Sequence, residues 1–191
     1  MEKRITEAFV FLVERFEEIE ALTVLNILRR GGVEAESVSL TGDAVVKGGK
    51  GINVQADRLF GGLAAEIAEL DKNEGATPML IMPGGPGTKN YLSCGDFEAF
   101  VSQHCANGGH LAAICAAPTV LDKWGLLEGK TAVCYPSLEL KNAKTGTNPV
   151  EVDGNIITSK GPATSMAFAL EILRVLRGQE KADEVSRQLL L

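Results

Sequence analysis

One cysteine of this sequence stands where the chain passes from a buried strand into a helix. Residues 110–114, HLAAI, have the apolar composition of a short buried strand, and residues 117–121 begin a helix with Pro118 in its first turn. Cys115 lies between them, beside the unpaired N–H groups of the helix N-terminus. Because those groups favour thiolate over thiol, the position predicts a lowered thiol pKa and a nucleophilic sulfur. The alternative interpretation is a small buried apolar side chain, as most free cysteines are.

A nucleophilic cysteine usually needs a base, and histidine is the first candidate. The chain has two histidines, His104 and His110. His110 precedes Cys115 along the same strand, and at about 3.3 Å per residue it lies roughly 16 Å away, at the opposite edge of the sheet. His104 ends the helix that leads into that strand, so we expect it at the same distant edge. Neither histidine is therefore expected to be the base.

Three glutamates, Glu17, Glu18 and Glu20, open the first predicted helix directly after the first strand. We expect them at the same edge of the sheet as Cys115. Acidic residues also stabilise the first turn of a helix through its dipole, so the cluster does not require a function. Its spacing does not decide which carboxyl group faces the interior.

Two glycine-containing turns follow strands at this edge. MPGGPG spans residues 82–87 after the strand PMLIM, and SKGPAT spans residues 159–164 after the strand NIIT. MPGGPG has neither the Gly-x-Gly-x-x-Gly spacing of a dinucleotide site nor the Gly-Lys-Ser/Thr of a phosphate-binding loop. Two interpretations of it remain, a tight turn or an oxyanion site built from backbone N–H groups near Gly85.

The elements that must position these residues alternate between strand and helix. Apolar runs and helical periodicity predict strands at 7–13, 33–40, 78–82, 110–114, 130–134 and 155–158, helices at 18–30, 63–70, 96–107, 164–177 and 180–190, and a hairpin or edge extension within 48–57. Such alternation is typical of a parallel sheet. We therefore predict a doubly wound, mostly parallel α/β sandwich, with chemistry at the carboxyl ends of its strands.

The composition indicates the number of domains and the kind of partner that this protein binds. A chain of 191 residues that is 45% hydrophobic can bury one core, and we expect a single domain over residues 1–191. The net charge of −6 leaves no basic face for a phosphate backbone, so small molecules are expected as partners and nucleic acids are not. No stretch approaches the roughly 20 apolar residues of a membrane-spanning helix.

The cysteines predict a reducing compartment. Cys94, Cys105, Cys115 and Cys134 lack metal-ligand spacing, and the apolar run near the N-terminus is too short for a secretory signal. We therefore expect a cytoplasmic protein with reduced thiols and no bound metal. Outside Cys115, the cysteines have no context that would activate them.

Four ordered segments resemble the DJ-1/ThiJ/PfpI superfamily and, within it, the DJ-1 branch. They are EEIEALTVLNILRRGGV, IMPGGPG, LAAICAAPTVL and VDGNIITSKGPATSMAFALEIL. The resemblance extends over nearly the whole chain. It implies a flavodoxin-like sandwich, similar to class I glutamine amidotransferases, with a reactive cysteine at a strand-to-helix elbow.

The resemblance also implies roles for particular residues. Cys115 matches the reactive cysteine of the family's Ala-Ile-Cys-Ala motif, and Glu20 matches the protonated glutamate that hydrogen-bonds to it. The family's Pro-Gly-Gly turn falls on Gly84 and Gly85. By the same resemblance, the N–H groups of Gly85 and Ala116 flank a substrate oxygen.

Two positions depart from the family's patterns. The protease branch has histidine directly after the cysteine, whereas Ala116 stands here, which argues against a cysteine protease. Some relatives carry a histidine before a proline near the site, and the matching residue here is Tyr135, before Pro136. With a pKa near 10, tyrosine is a poor base at neutral pH, but it can donate a hydrogen bond.

The expected activity is that of a glutathione-independent glyoxalase, converting methylglyoxal or glyoxal to lactate or glycolate without a cofactor. The family also implies possible deglycase action on glycated protein or nucleotide adducts, through the same thiolate. An alternative from another class is a redox-responsive protein or chaperone in which Cys115 oxidises to a sulfinate. The family further implies a homodimer, for which the apolar stripe of the first helix, with Arg29 and Arg30, is a candidate contact.

Overall fold

A seven-stranded sheet forms the centre of the computed structural model, which describes residues 7–70 and 77–191. The strands are β1 (Ala8–Leu12), β2 (Ala35–Ser39), β3 (Val45–Lys47), β4 (Asn53–Gln55), β5 (Arg58–Leu59), β6 (Met79–Met82), β7 (Leu111–Ile114), β8 (Thr131–Ala132), β9 (Lys144–Thr145), β10 (Val150–Asp153) and β11 (Ile156–Ser159). The helices are α1 (Glu18–Arg30), α2 (Leu63–Leu70), α3 (Phe97–Ala106), α4 (Pro118–Lys123), α5 (Ser165–Arg177) and α6 (Gln179–Gln188).

The central sheet is parallel except at one edge. Its order is β10-β11-β7-β6-β1-β2-β5, and β10 alone pairs antiparallel to its neighbour. Every residue of β1, β6, β7 and β11 is buried, because helices cover a parallel sheet on both faces. The predicted doubly wound, mostly parallel sandwich is confirmed.

Strand register decides which loops meet at the carboxyl edge. Met82 of β6 lies opposite Ala113 of β7, and Ile114 of β7 lies opposite Ser159 of β11. The segments that follow these three strands therefore leave the sheet side by side. They are the stretches that the sequence placed at this edge.

The predicted strand at 130–134 is wrong in length and in place. Only Thr131 and Ala132 form a strand, and they pair with β9 outside the central sheet. The following backbone groups bind elsewhere: the N–H of Val133 donates to Thr158 Oγ1, and the N–H of Tyr135 donates to the carbonyl of Cys115. These bonds turn the chain away from strand geometry and bring Tyr135 to the elbow.

Two other edge features differ from the prediction. Strand β10 was not predicted, yet it forms a hairpin with β11 through Gly154, whose φ of 64° suits a tight turn. Strand β2 is mostly buried, although apolar and polar residues alternate along residues 33–40, a pattern typical of a half-exposed strand. Its polar Ser37 is buried because Ser37 binds the carboxylate of Asp57 through both its N–H and its hydroxyl group.

Residues 48–57, predicted to be part of a hairpin or an edge extension, supply the turn and the second strand of a hairpin in which β4 pairs antiparallel with the preceding β3. Across the described ranges, no helix combines the length and the apolar character needed to cross a bilayer.

Candidate active site

Cys115 occupies a strained turn between β7 and α4. Its φ of 64° is in the left-handed region, which costs a non-glycine residue about 1–3 kcal/mol. Two neighbouring segments hold it there: its N–H donates to the carbonyl of Ser159 at 2.9 Å, and its carbonyl accepts the N–H of Tyr135 at 2.7 Å. The residue is 9% exposed. The elbow therefore fixes the sulfur at the sheet edge and leaves a narrow approach to it.

The glycine turn after β6 packs directly against this elbow. A β-carbon on Gly84 would lie 2.8 Å from Cys115 Cβ and 2.9 Å from the nitrogen of Ala116, closer than real atoms approach. Gly85 has a φ of 106°, which side chains rarely adopt. The N–H groups of Gly85 and Ala116 both lower the pKa of the Cys115 thiol, because they stabilise its negative form. These are the two donors that the family resemblance placed around a substrate oxygen.

Glu20 is the glutamate of the acidic cluster that faces the cysteine. It is fully buried, its Oε2 accepts the N–H of Gly84 at 2.7 Å, and its carboxyl group interacts with the Cys115 thiol. Oε1 is buried with no conventional hydrogen bond among the described groups. Glu18 instead accepts the N–H groups of Lys50 and Ile52 and so anchors the loop between β3 and β4.

Glu20 and Cys115 both hold their protons to a higher pH in the folded protein than they would in water. Burial raises the pKa of Glu20 to about 7. Burial, followed by the negative charge of Glu20, raises the pKa of Cys115 to about 12, against the opposing effect of the Ala116 and Gly85 N–H groups. At neutral pH the thiol therefore keeps its proton, while Glu20 is about half protonated.

The predicted lowering of the thiol pKa by the helix N-terminus is therefore wrong. That prediction considered the N–H groups near Cys115 but not its burial or the carboxyl group beside it, and these two causes are larger. The thiolate forms when its proton passes to Glu20, since this removes the negative charge that opposes it.

Tyr135 and Gly161 lie on the remaining side of the sulfur. A β-carbon on Gly161 would lie 3.3 Å from Cδ2 of Tyr135 and 3.8 Å from Cys115 Sγ. The structure thus brings together Cys115, Glu20, Gly84, Gly85, Ala116 and Tyr135, the residues singled out from the sequence. Gly161 is within the quoted SKGPAT segment, but no role was predicted for it.

Tyr91 supports the glycine turn, and sequence reasoning missed it. It is fully buried, and its hydroxyl group lies 2.9 Å from the carbonyl oxygen of Phe11 and 3.0 Å from that of Pro83. It therefore ties the turn after β6 to the end of β1. Tyr91 stands in a short 3-10 helix with no motif around it, so no sequence signal indicated this contact.

The histidines and the other cysteines lie outside this site. His104 Nε2 is 3.2 Å from the carbonyl oxygen of His110, at the start of β7 and thus at the opposite edge of the sheet. Burial raises the pKa of the thiols of Cys94, Cys105 and Cys134. In the described part of the chain, no group of three or more His, Cys, Asp or Glu side chains could hold a metal ion.

The site combines a cysteine elbow, a buried glutamate and a glycine turn at the edge of a doubly wound sheet. Comparison with known proteins identifies the family that has this combination. Residues 6–175 match the DJ-1/PfpI family, and the chain belongs to that family. The resemblance seen in the sequence is confirmed.

Three similar proteins illustrate the relationship. Protein DJ-1 homolog A of Arabidopsis thaliana is 38% identical over 92% of this chain, which spans only 44% of that longer protein. A Caenorhabditis elegans protein named glutathione-independent glyoxalase DJR-1.2 is 30% identical, over 93% of this chain and 92% of its own length. The solved structure of oxidized Toxoplasma gondii DJ-1 superposes with a TM-score of 0.83 at 32% identity, covering 97% of this chain and 98% of its own.

Proposed function

We propose that this protein is a cofactor-free, glutathione-independent glyoxalase that acts on small α-oxoaldehydes such as methylglyoxal and glyoxal. The observation that carries the proposal is the buried pair of Cys115 and Glu20, with the N–H groups of Gly85 and Ala116 directed at the sulfur. This arrangement places a nucleophile, a proton carrier and candidate oxyanion donors next to one another. The relative named as a glutathione-independent glyoxalase supports it.

In the first step, Cys115 Sγ attacks the aldehyde carbon while its proton passes to Glu20. The new S–C bond forms as the C=O π electrons move to oxygen, and the N–H groups of Gly85 and Ala116 stabilise that oxyanion. Return of the proton gives a neutral hemithioacetal and an ionised Glu20. A carboxyl group with a pKa of about 7 suits both directions of this transfer at neutral pH.

In the second step, ionised Glu20 removes the proton from the hemithioacetal carbon, which gives an enediolate. Glu20 then delivers that proton to the neighbouring carbon, and the hydroxyl proton of the first carbon moves to the neighbouring oxygen. The first carbon is thereby oxidised to a thioester and the second is reduced to an alcohol. Water hydrolyses the thioester, releasing lactate from methylglyoxal and restoring the thiol. The reaction needs water as its only co-reactant.

The test is lactate production from methylglyoxal without glutathione. We expect turnover by the intact protein and at least about a 100-fold loss in Cys115→Ala and in Glu20→Gln, since one loses the nucleophile and the other the proton carrier. Cys105→Ala is the matched control and should retain turnover. Full activity of Cys115→Ala would contradict the mechanism.

Deglycase action on glycated adducts would use the same thiolate and is measured on the same variants.

A redox-responsive or chaperone role is the second candidate. A thiol that faces two N–H donors and a protonatable carboxyl group could hold sulfinate oxygens after oxidation, and a similar protein has a solved structure described as oxidized. Mass spectrometry after mild peroxide treatment separates the candidates. Selective oxidation of Cys115 in a protein without glyoxalase turnover would favour the redox role, and uniform oxidation of the four cysteines would oppose it.

We also propose a cytoplasmic setting, since a thiol nucleophile requires a reducing compartment.

A further inference from the structure

The approach to the Cys115 sulfur is bounded by one aromatic side chain and one position without a side chain. A β-carbon at Gly161 would contact both the sulfur, at 3.8 Å, and the Tyr135 ring, at 3.3 Å. The Tyr135 ring and the sulfur therefore both border the gap above Gly161, where a side chain would otherwise stand. A molecule that approaches the sulfur through this gap meets the Tyr135 ring.

Both boundaries of this gap are held in place. The Tyr135 N–H donates to the Cys115 carbonyl at 2.7 Å, which ties the aromatic residue to the elbow itself. The N–H of Gly161 donates to Thr164 Oγ1 at 3.1 Å, and that hydroxyl group lies 2.6 Å from Ser159 Oγ. Hydrogen bonds therefore fix the backbone on both sides of the gap.

Tyr135 also lines an open pocket on its other side. The pocket has a volume of about 250 Å³, and its walls include Cys134, Leu138, Leu140 and Lys160. Nothing in the mechanism uses this space. Because Tyr135 borders both spaces, shortening its side chain would extend the approach to the sulfur into the pocket.

We propose that the Tyr135 ring, set against Gly161, determines the size of the electrophile that reaches Cys115. It admits small, unbranched carbonyl compounds and excludes those with a bulky substituent next to the reacting carbon. The proposal rests on the proposed function for its substrate class, and it assigns Tyr135 a steric role as a specificity-determining residue.

The first test measures alkylation of Cys115, which does not depend on turnover. Iodoacetamide and its bulkier N-phenyl analogue, iodoacetanilide, each form an S–C bond and release iodide, and peptide mapping by mass spectrometry reports modification at Cys115 separately from Cys134. We expect Tyr135→Ala to raise the ratio of the iodoacetanilide rate to the iodoacetamide rate by about 10-fold, the usual effect of enlarging a close-fitting pocket. Tyr135→Phe should leave the ratio unchanged, because it keeps the ring.

Leu138→Ala is the matched control, because Leu138 lines the pocket beyond Tyr135 and should not affect the ratio. Circular dichroism establishes that each variant is folded. An unchanged ratio in folded Tyr135→Ala, or an equal rise in Leu138→Ala, would overturn the proposal.

A second test separates this inference from the proposed function. If the intact protein turns over glyoxal, Tyr135→Ala should raise kcat/KM for phenylglyoxal relative to glyoxal. If the intact protein has no glyoxalase turnover, the proposed function fails, whereas the alkylation ratio still decides the role of Tyr135.

Discussion

At the residue scale, the central feature is a carboxyl group that is buried beside a thiol. Glu20 has one oxygen bound to the Gly84 N–H and the other buried near Cys115. Such burial disfavours the ionised form, so the group stays protonated to a pH near 7. The chemistry of the site thus depends on the energetic cost of ionising Glu20 inside the protein.

That cost predicts a pH dependence of stability. The pKa of Glu20 is raised on folding from 4.5 to about 7, so its contribution is complete below 4.5 and is lost as the pH rises through 7. Relative to Glu20→Gln, the free energy of unfolding of the intact protein should fall by about 3 kcal/mol across this interval. Urea denaturation at a series of pH values measures this difference.

Cys115→Ala is the control for this experiment, because burial is the largest cause of the shift and remains in that variant. It should therefore keep the pH dependence. Parallel stability curves for the intact protein and Glu20→Gln would show that the carboxyl group ionises normally in the folded state.

At the element scale, three parallel strands bring three short loops together. The turn at Gly84, the elbow at Cys115 and the loop at Gly161 meet because β6, β7 and β11 are neighbours in register. The turn at Gly84 and the elbow also touch so closely that a side chain at Gly84 does not fit. The N–H of Gly85 comes near the sulfur because of this close contact.

Gly84→Ala tests that close contact. The added methyl group would lie 2.8 Å from Cys115 Cβ, so the turn must move away from the elbow. We expect a loss of about 1–3 kcal/mol in the free energy of unfolding, as for other overpacked positions, together with slower alkylation of Cys115. Gly61→Ala is the matched control, since nothing lies within 4 Å of its β-carbon position, and it should change stability by less than about 0.5 kcal/mol. Equal stability of the two variants would contradict the packing argument.

At the scale of the whole molecule, an apolar surface remains on the outer side of α1 and the adjoining start of α5. Ile19 is 55% exposed, Leu22 is 39% exposed and Met166 is 46% exposed. Arg29, which the sequence suggested as part of a contact, pairs instead with Asp57 of its own chain. We propose that a second copy of the chain covers this surface, as the family resemblance implied.

A charge on this surface should weaken the association. Burying a carboxylate in an apolar interface without a partner is costly, so Leu22→Glu should be monomeric at concentrations where the intact protein is dimeric. Sedimentation velocity measures the difference. Leu138→Glu introduces the same charge at a site that is 43% exposed elsewhere, and it should remain dimeric. If sedimentation velocity shows that the intact protein is a monomer, the proposal is contradicted.

Local sequence patterns were enough to predict the alternation of strands and helices, the parallel sheet and the position of Cys115 at its carboxyl edge. These follow from local apolar patterns and from Pro118 and the glycines, whose preferences act over a few residues. The sequence also excluded the histidines as partners of Cys115, because distance along a strand is fixed by backbone geometry.

Residue spacing did not show which glutamate faces the thiol, and only the family resemblance pointed to Glu20 and to Tyr135. The folded structure was needed to show how the pair holds its protons and where Tyr91 lies. Glu20 is far from Cys115 in sequence, and its pKa depends on burial and on neighbours that arrive from other strands. The short β8 shows the same limit, since its expected strand ends where Val133 and Tyr135 bind groups of distant segments. The local sequence pattern was therefore enough to locate the site at the sheet edge. Its chemistry depends on contacts between segments that are far apart in the sequence.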